Sequence, residues 1–306
     1  MSAGADGIRA SKAIAAGSTI ADAYASMTRA FAAAGIETPD LDARMLLCAI
    51  LEIDSVVLIS RPDQTVGDKA AALRSAAGRR LAREPVSRIL GVRDFYGRSF
   101  EISPATLDPR PDSETLIDAA LSIVRAEGWS ERPLQIVDVG TGSGCLLVTL
   151  LAELPNATGV ATDISPEAIQ VAMRNAARHG VSARISFRIA DALEGMSEAF
   201  DLLLTNPPYI ATAELAGLQP EVRDHDPRAA LDGGDDGLGL YRRIIARISY
   251  VVPTGYAVFE IGSGQAAEVS ALLQQEGRLH GWRPADVIED LGCRPRCVAQ
   301  RTRRSS

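Results

Sequence analysis

Lysine is almost missing from this 306-residue chain. Of its 32 basic residues only Lys12 and Lys69 are lysines, and the rest are arginines. With 39 acidic residues the formal net charge is −7. That argues against a protein that coats duplex nucleic acid through a broad basic face, though not against a local basic patch. No apolar run approaches the length that spans a bilayer. The opening Met1-Ser-Ala-Gly-Ala-Asp-Gly7 lacks an apolar signal core and predicts a cytoplasmic protein. The four cysteines are scattered. Cys293 and Cys297 are not at zinc-ligand spacing and have no second pair, so free thiols and no metal site are expected. Two phosphate-binding fingerprints are missing as well. Cys145 stands where the dinucleotide pattern needs glycine, and no Lys-Ser/Thr pair follows the glycines as in a Walker loop.

What is present divides into a helical front and an alternating α/β remainder. Residues 1–17 are small and polar and are expected to fray. Helices are predicted from Ser18 or Thr19 to about Ala34, from Thr38-Pro39-Asp40 onward with Leu41, Met45, Leu46 and Ile50 inward, over Ser55–Ser60, and from Asp68 to Ala82. Residues 1–85 hold ten basic and ten acidic side chains and no catalytic cluster. Such a neutral bundle before a catalytic domain reads as a recognition module, or else as a stabilising cap. Ile89–Val92, Phe95–Gly97 and Ser99–Ile102 read as a β-hairpin with Gly97 in its turn. The stiff Ser103–Glu114 segment follows, with Arg110 between two prolines. It reads as a linker ending in a helix cap, or as one wall of a site.

The remainder reads as one sheet. Leu134–Val139 is a buried strand that runs into Gly140-Thr141-Gly142-Ser143-Gly144 and then into an apolar helix from Cys145 to Leu154. A glycine-rich turn between strand and helix lets a ligand approach the backbone. Thr158–Thr162 is the next strand and ends in Asp163, about twenty residues past the glycines, where an acid suits the two hydroxyls of a ribose. Arg184–Ile189 precedes Asp191, whose carboxylate suits an adenine amino group. Further strands are predicted at Phe200–Thr205, Tyr256–Ile261, Asp286–Glu289 and Arg296–Gln300, with helices over Gly237–Tyr250 and Gly264–Gln275. The last two strands are expected to be antiparallel to each other. Asp224–Asp236 is a long acidic loop of the kind that forms lids. The arginine-rich tail from Arg294 reads as solvated.

One tetrapeptide organises this remainder, Asn206-Pro207-Pro208-Tyr209. Two prolines fix two φ angles and remove two N–H donors, so the strand must stop there. Asn206, before a proline, is pushed into an extended shape. The result is a rigid corner at the carboxyl end of a strand, where open α/β sheets bind ligands. It offers a side-chain amide, carbonyls without local N–H partners and an aromatic face. A plain proline-rich turn is the competing reading.

A ribose acid and an adenine acid around a glycine loop, without phosphate-binding signals, fit S-adenosylmethionine. The chain resembles the PrmC/HemK family of class I methyltransferases, which methylate the side-chain amide of the glutamine in the Gly-Gly-Gln motif of peptide chain release factors. The resemblance runs through Glu84-Pro85-Val86, Arg93–Tyr96, Pro109–Glu114, Gly140–Gly144, Asn206–Tyr209 and Asp226-Pro…Gly233-Gly. Departures are Tyr96 for a frequent Trp, Ser113 for Thr, Asp226 for Glu, and Ala192 where some members place an aromatic.

The resemblance implies a Rossmann-like domain with a mostly parallel seven-stranded sheet, its last strand antiparallel. It divides the chain into a flexible 1–17, a helical substrate-recognition domain over 18–84, a hairpin linker over 85–107 and the methyltransferase domain over 108–306. It implies S-adenosyl-L-methionine as cofactor, held by Gly140, Thr141, Gly142, Ser143 and Gly144, by Asp163 with Ile164, by Asp191 with Ala192, and by Phe95, Arg110 and Asn206. It implies Asn206, Pro207 and Tyr209 as catalytic residues, with Pro208 completing the substrate site. It further implies a bacterial, monomeric enzyme whose partner is a release factor in translation termination, with no stable nucleic-acid complex. An adenine-N6 or guanine-N2 methyltransferase remains the alternative, because a flipped base offers the same –NH2 on a planar ring. A non-catalytic S-adenosylmethionine-binding module is another, though it has no need for paired acceptors.

Overall fold

A computed structural model describes residues 14–302 of the chain. The chain divides into two compact units. The smaller runs through Gly91 and includes Pro220–His225; the larger holds Val92–Gln219 and the chain from Asp226 onward.

The smaller unit is helical: α1 Ile20–Ala33, α2 Pro39–Leu51, α3 Ser55–Ser60, α4 Ala70–Leu81 and α5 Val86–Leu90. Thr19 and Asp22 cap α1 reciprocally, Thr19 Oγ1 accepting from the Asp22 N–H and Asp22 Oδ2 from the Thr19 N–H. Met27, Phe31, Leu46, Leu47 and Leu73 are fully buried in its core. Three expectations are corrected here. Ile14 belongs to this core, and its carbonyl accepts from Arg74, so order begins before residue 18; residues 1–13 lie outside the described residues. Leu41 and Met45 are exposed. The inward stripe of α2 is instead Asp42, Ala43, Leu46 and Leu47, and Asp42 is tolerated there because Arg80 Nε donates to it at 2.7 Å. Residues 86–90, expected in part as strand, form α5, closed by Gly91 in the left-handed region.

The larger unit begins with a hairpin, β1 Val92–Phe95 and β2 Arg98–Glu101. Its two turn residues Tyr96 and Gly97 both have positive φ, which matches the twist of the strands. The remaining elements are α6 Glu114–Ala126, β3 Gln135–Val139, α7 Cys145–Glu153, β4 Thr158–Asp163, α8 Pro166–Arg178, β5 Ile185–Ile189, β6 Leu202–Thr205, α9 Gly239–Val251, β7 Tyr256–Glu260, α10 Ala266–His280, β8 Asp286–Glu289 and β9 Pro295–Arg301. They build a seven-stranded sheet in the order β5-β4-β3-β6-β7-β9-β8. Strands β5 to β7 are mutually parallel, and β9 is antiparallel to both neighbours. This is the α/β arrangement expected. Strand order reverses between β3 and β6, so a crevice opens at their carboxyl ends. The central strands are buried on both faces because helices cover both, as Leu202–Leu204 and the run Ile136-Val137-Asp138-Val139 show, Asp138 being the one polar residue among them. The tail is not solvated as expected: Arg296 and Arg301 lie in β9 and pair with Asp112 and Glu127. Arg303 and Arg304 lie outside the described residues.

Candidate active site

A cavity of about 640 Å³ sits at the carboxyl ends of β3, β4 and β6, a size suited to a nucleoside-sized ligand. Its floor is the turn after β3. Gly140 and Gly142 have positive φ, which keeps the backbone open to a ligand. Gly144 is also left-handed but faces away from the cavity. A Cβ there would lie 3.1 Å from Ala172 Cβ on α8, so its glycine serves helix packing. Beneath the turn, Thr141 Oγ1 donates to Asp138 Oδ2 at 2.6 Å, and burial pushes the Asp138 carboxyl up to about 7.

Asp163 closes β4 and lines the cavity. Its Oδ2 accepts from the Gly142 N–H and its Oδ1 from the Ser165 N–H, both at 2.9 Å. These bonds fix the carboxylate at the cavity, where its remaining acceptor capacity suits a vicinal diol. Burial raises its pKa, while the N–H donors of Ser165, Gly142 and Ile164 oppose that rise. Ile164 is 61% exposed at the cavity wall, an apolar face for a flat ring. Asp191 and Ala192 also line the wall. Asp191 accepts from Arg243 Nη2 at 2.8 Å, a partner that the sequence reading missed. Ala192 takes a φ of 54°, which turns the chain sharply at the cavity edge.

The Asn206–Tyr209 corner forms the far end. Asn206 and Pro208 line the cavity; Pro207 and Tyr209 do not. The Tyr209 ring packs against the core around β7 and α9, and burial pushes its hydroxyl up to about 12. Asn206 Nδ2 donates to Ser113 Oγ at 3.2 Å. The acidic loop clamps the corner from outside. A Cβ on Gly233 would stand 2.7 Å from the Pro208 carbonyl oxygen, and one on Gly237 2.3 Å from that of Tyr209, so only glycine allows this approach.

Two segments roof the cavity, one through Leu107 and Pro109, the other through Pro227 and Ala230. Arg110 does not line the cavity; it pairs with Asp226 at 2.5 Å. Phe95, expected to touch the cofactor, is 1% exposed and packs edge-on against Phe100 at 6.2 Å. The alternation of β1 turns it into the core.

Glu260 was missed too. It ends β7 beside the corner, 3% exposed, and burial pushes its carboxyl up to about 7. Its signal was a lone acid closing the apolar run Tyr256-Ala-Val-Phe259.

A PrmC N-terminal domain family matches residues 22–91, and a methyltransferase small domain family matches residues 115–218. A release factor glutamine methyltransferase of Rhodospirillum rubrum is 42% identical over 272 residues, covering 88% of this chain and 81% of that protein. The chain belongs to this family. A second relative of the same description, from Cereibacter sphaeroides, is 43% identical over 92% of this chain and 98% of its own. Among solved structures, the hMettl16 catalytic domain in complex with a MAT2A 3′UTR hairpin aligns with a TM-score of 0.54 at 17% identity, covering 77% of this chain and 82% of that one. It shares the fold. Family and fold together imply S-adenosylmethionine use, and the cavity chemistry agrees: a paired-acceptor acid at Asp163, an apolar wall at Ile164 and a second acid at Asp191.

Proposed function

We propose that the chain methylates the side-chain amide nitrogen of the glutamine in the Gly-Gly-Gln motif of class 1 peptide chain release factors, with S-adenosyl-L-methionine as donor. The observation that carries this reading is the orientation of Asn206. One N–H of its NH2 donates to Ser113, which makes Oδ1 the acceptor end of the amide, and Asn206 lines the cavity.

Gly140–Ser143, Asp163, Ile164, Asp191 and Ala192 hold the cofactor. When bound, it supplies an electrophilic sulfonium methyl group. A carboxamide nitrogen is a poor nucleophile because its lone pair is delocalised into the carbonyl. Asn206 Oδ1 accepts an N–H bond of the target; the Pro207 carbonyl, expected as the second acceptor, does not line the cavity. The bond to Oδ1 orients the target nitrogen and favours the positive charge that grows on it. No general base is required, because the alkylated nitrogen is acidic and loses its proton readily. Pro208 and Tyr209 keep the corner rigid. The helical unit recognises the release factor; its match to the PrmC N-terminal domain family supports that role.

The test is transfer of labelled methyl to unmodified release factor, to a variant with the Gly-Gly-Gln glutamine changed to alanine, and to DNA and RNA. Label on the intact release factor alone supports the reading. Label on nucleic acid with none on protein contradicts it.

A further inference from the structure

For a substrate amide to be held by Asn206, that residue must present its oxygen. Its own carboxamide has two ends of similar size, and a half-turn about its last bond would offer donors to donors. Something must fix the rotation. Nδ2 donates to Ser113 Oγ at 3.2 Å. A hydroxyl donates as well as accepts, so Ser113 alone does not choose. Behind both residues lies Glu260. Strand β7 pairs with β6, with Phe259 opposite Thr205, so Glu260 falls level with Asn206. The Ser113 and Asn206 side chains both favour its ionised form, and its buried Oε2 has no hydrogen-bond partner among the described residues. An ionised carboxylate only accepts, so it directs the hydroxyl proton of Ser113 toward itself. The Ser113 lone pairs then face Asn206, and the Asn206 NH2 has one stable direction. Glu260 does not line the cavity and so does not itself touch substrate.

We propose that Glu260 is a positioning residue: acting with Ser113, its carboxylate fixes the Asn206 amide with Oδ1 toward the substrate nitrogen. The inference rests on the reaction proposed above and deepens it.

The protonated form of Glu260 loses this function, because its O–H donates and competes for Asn206 Oδ1. Burial is the main reason that the carboxyl titrates near 7. Ser113 pulls it down, Asp112 raises it, and Arg296 and Asn206 lower it. The other titratable groups facing it are the Tyr209 and Tyr241 hydroxyls and the Cys145 and Cys297 thiols, all raised by burial and neutral at that pH. Turnover is therefore expected to fall as pH drops below about 7.

The experiment compares full-length wild type, Glu260→Gln, Ser113→Ala, Asn206→Ala and the Asn206→Ala/Glu260→Gln double variant on unmodified release factor. Glu260→Gln and Ser113→Ala are expected to lose about tenfold to a hundredfold in kcat, with KM for release factor and Kd for S-adenosylmethionine within about twofold. Glu260→Gln also loses the acid limb of the kcat profile. On the Asn206→Ala background Glu260→Gln costs nothing further, because its effect passes through Asn206. A Glu260→Gln enzyme within twofold of wild type with the limb intact overturns the inference, as does a further tenfold loss in the double variant. Ser113→Ala keeps the test open if Glu260→Gln does not fold. The Asn206 side-chain amide resonances provide a readout that needs no substrate. Their shift with a midpoint near pH 7, absent in Glu260→Gln, supports the positioning even if release factor proves not to be the substrate; no such shift overturns it.

Discussion

Arg110 Nη2 meets Asp226 Oδ2 at 2.5 Å, joining the proline-rich segment before α6 to the loop before α9. The Asp226 side chain is only 1% exposed and also accepts from the Asp108 N–H at 3.3 Å. Asp226→Ala removes the acceptor that ties the two roof segments together. It is expected to cost about 1–3 kcal/mol of stability. Affinity for S-adenosylmethionine falls with it, read by thermal melting and calorimetry. An unchanged Tm with unchanged affinity contradicts the roof assignment.

Asp163 is held by Gly142 and Ser165 in a pose that fits a diol. Asp163→Ala loses two hydrogen bonds from ligand to a charged group. The expected result is about a tenfold to hundredfold weaker S-adenosylmethionine affinity with the fold retained. Calorimetric titration measures it, and an affinity within twofold of wild type would remove Asp163 from the cofactor site.

The buried Asp138 gives stability a pH dependence with a definite sign. Burial places its carboxyl near 7 in the folded chain, against about 4 in the unfolded chain. Between those values the folded state holds a proton that the unfolded state has released. Stability therefore declines as pH rises from about 4 to about 7 and is level above that. Glu260 adds a slope in the same window. Asp138→Asn is expected to flatten the decline in Tm between pH 5 and 7.5, and an unchanged slope contradicts the assignment.

In the helical unit the Arg80–Asp42 pair has both side chains below 10% exposed, with Glu221 a second partner for Arg80. Arg80→Ala leaves Asp42 buried beside Thr38 Oγ1 alone and is expected to cost about 3–5 kcal/mol. Replacing both members with Arg80→Met/Asp42→Leu restores most of that. Urea unfolding checks the ordering, and a double variant no better than Arg80→Ala contradicts it.

Much of this site was legible because its signals are local. The glycines of 140–144, the acids that end β4 and follow β5, and the double proline at 207–208 each act on the backbone within a few residues. The central strands β6 and β7 were legible because their apolar runs, Leu202–Leu204 and Ala257–Phe259, are buried. What escaped depends on neighbours far along the chain. Glu260 matters through Asn206 and Ser113, which come from other elements, and Arg243 reaches Asp191 from α9. Phe95 misled because a residue inside a motif can serve packing, and strand alternation sends it to the core against Phe100. Leu41 and Met45 misled because a buried ion pair at Asp42 shifted the inward stripe of α2. Residues 86–90 mix β-branched Val86 and Ile89 with Ser87 and Arg88 and suit either state; in the structure they form a helix bounded by Pro85 and a left-handed Gly91.

The most direct measurement is fragment mass spectrometry of release factor incubated with S-adenosylmethionine and either wild-type enzyme or Asn206→Ala. The account predicts one methyl group on the side-chain amide of the Gly-Gly-Gln glutamine with wild type. With Asn206→Ala the rate falls about a hundredfold to a thousandfold while cofactor affinity is kept. A methyl group on another residue, or undiminished methylation by Asn206→Ala, contradicts it.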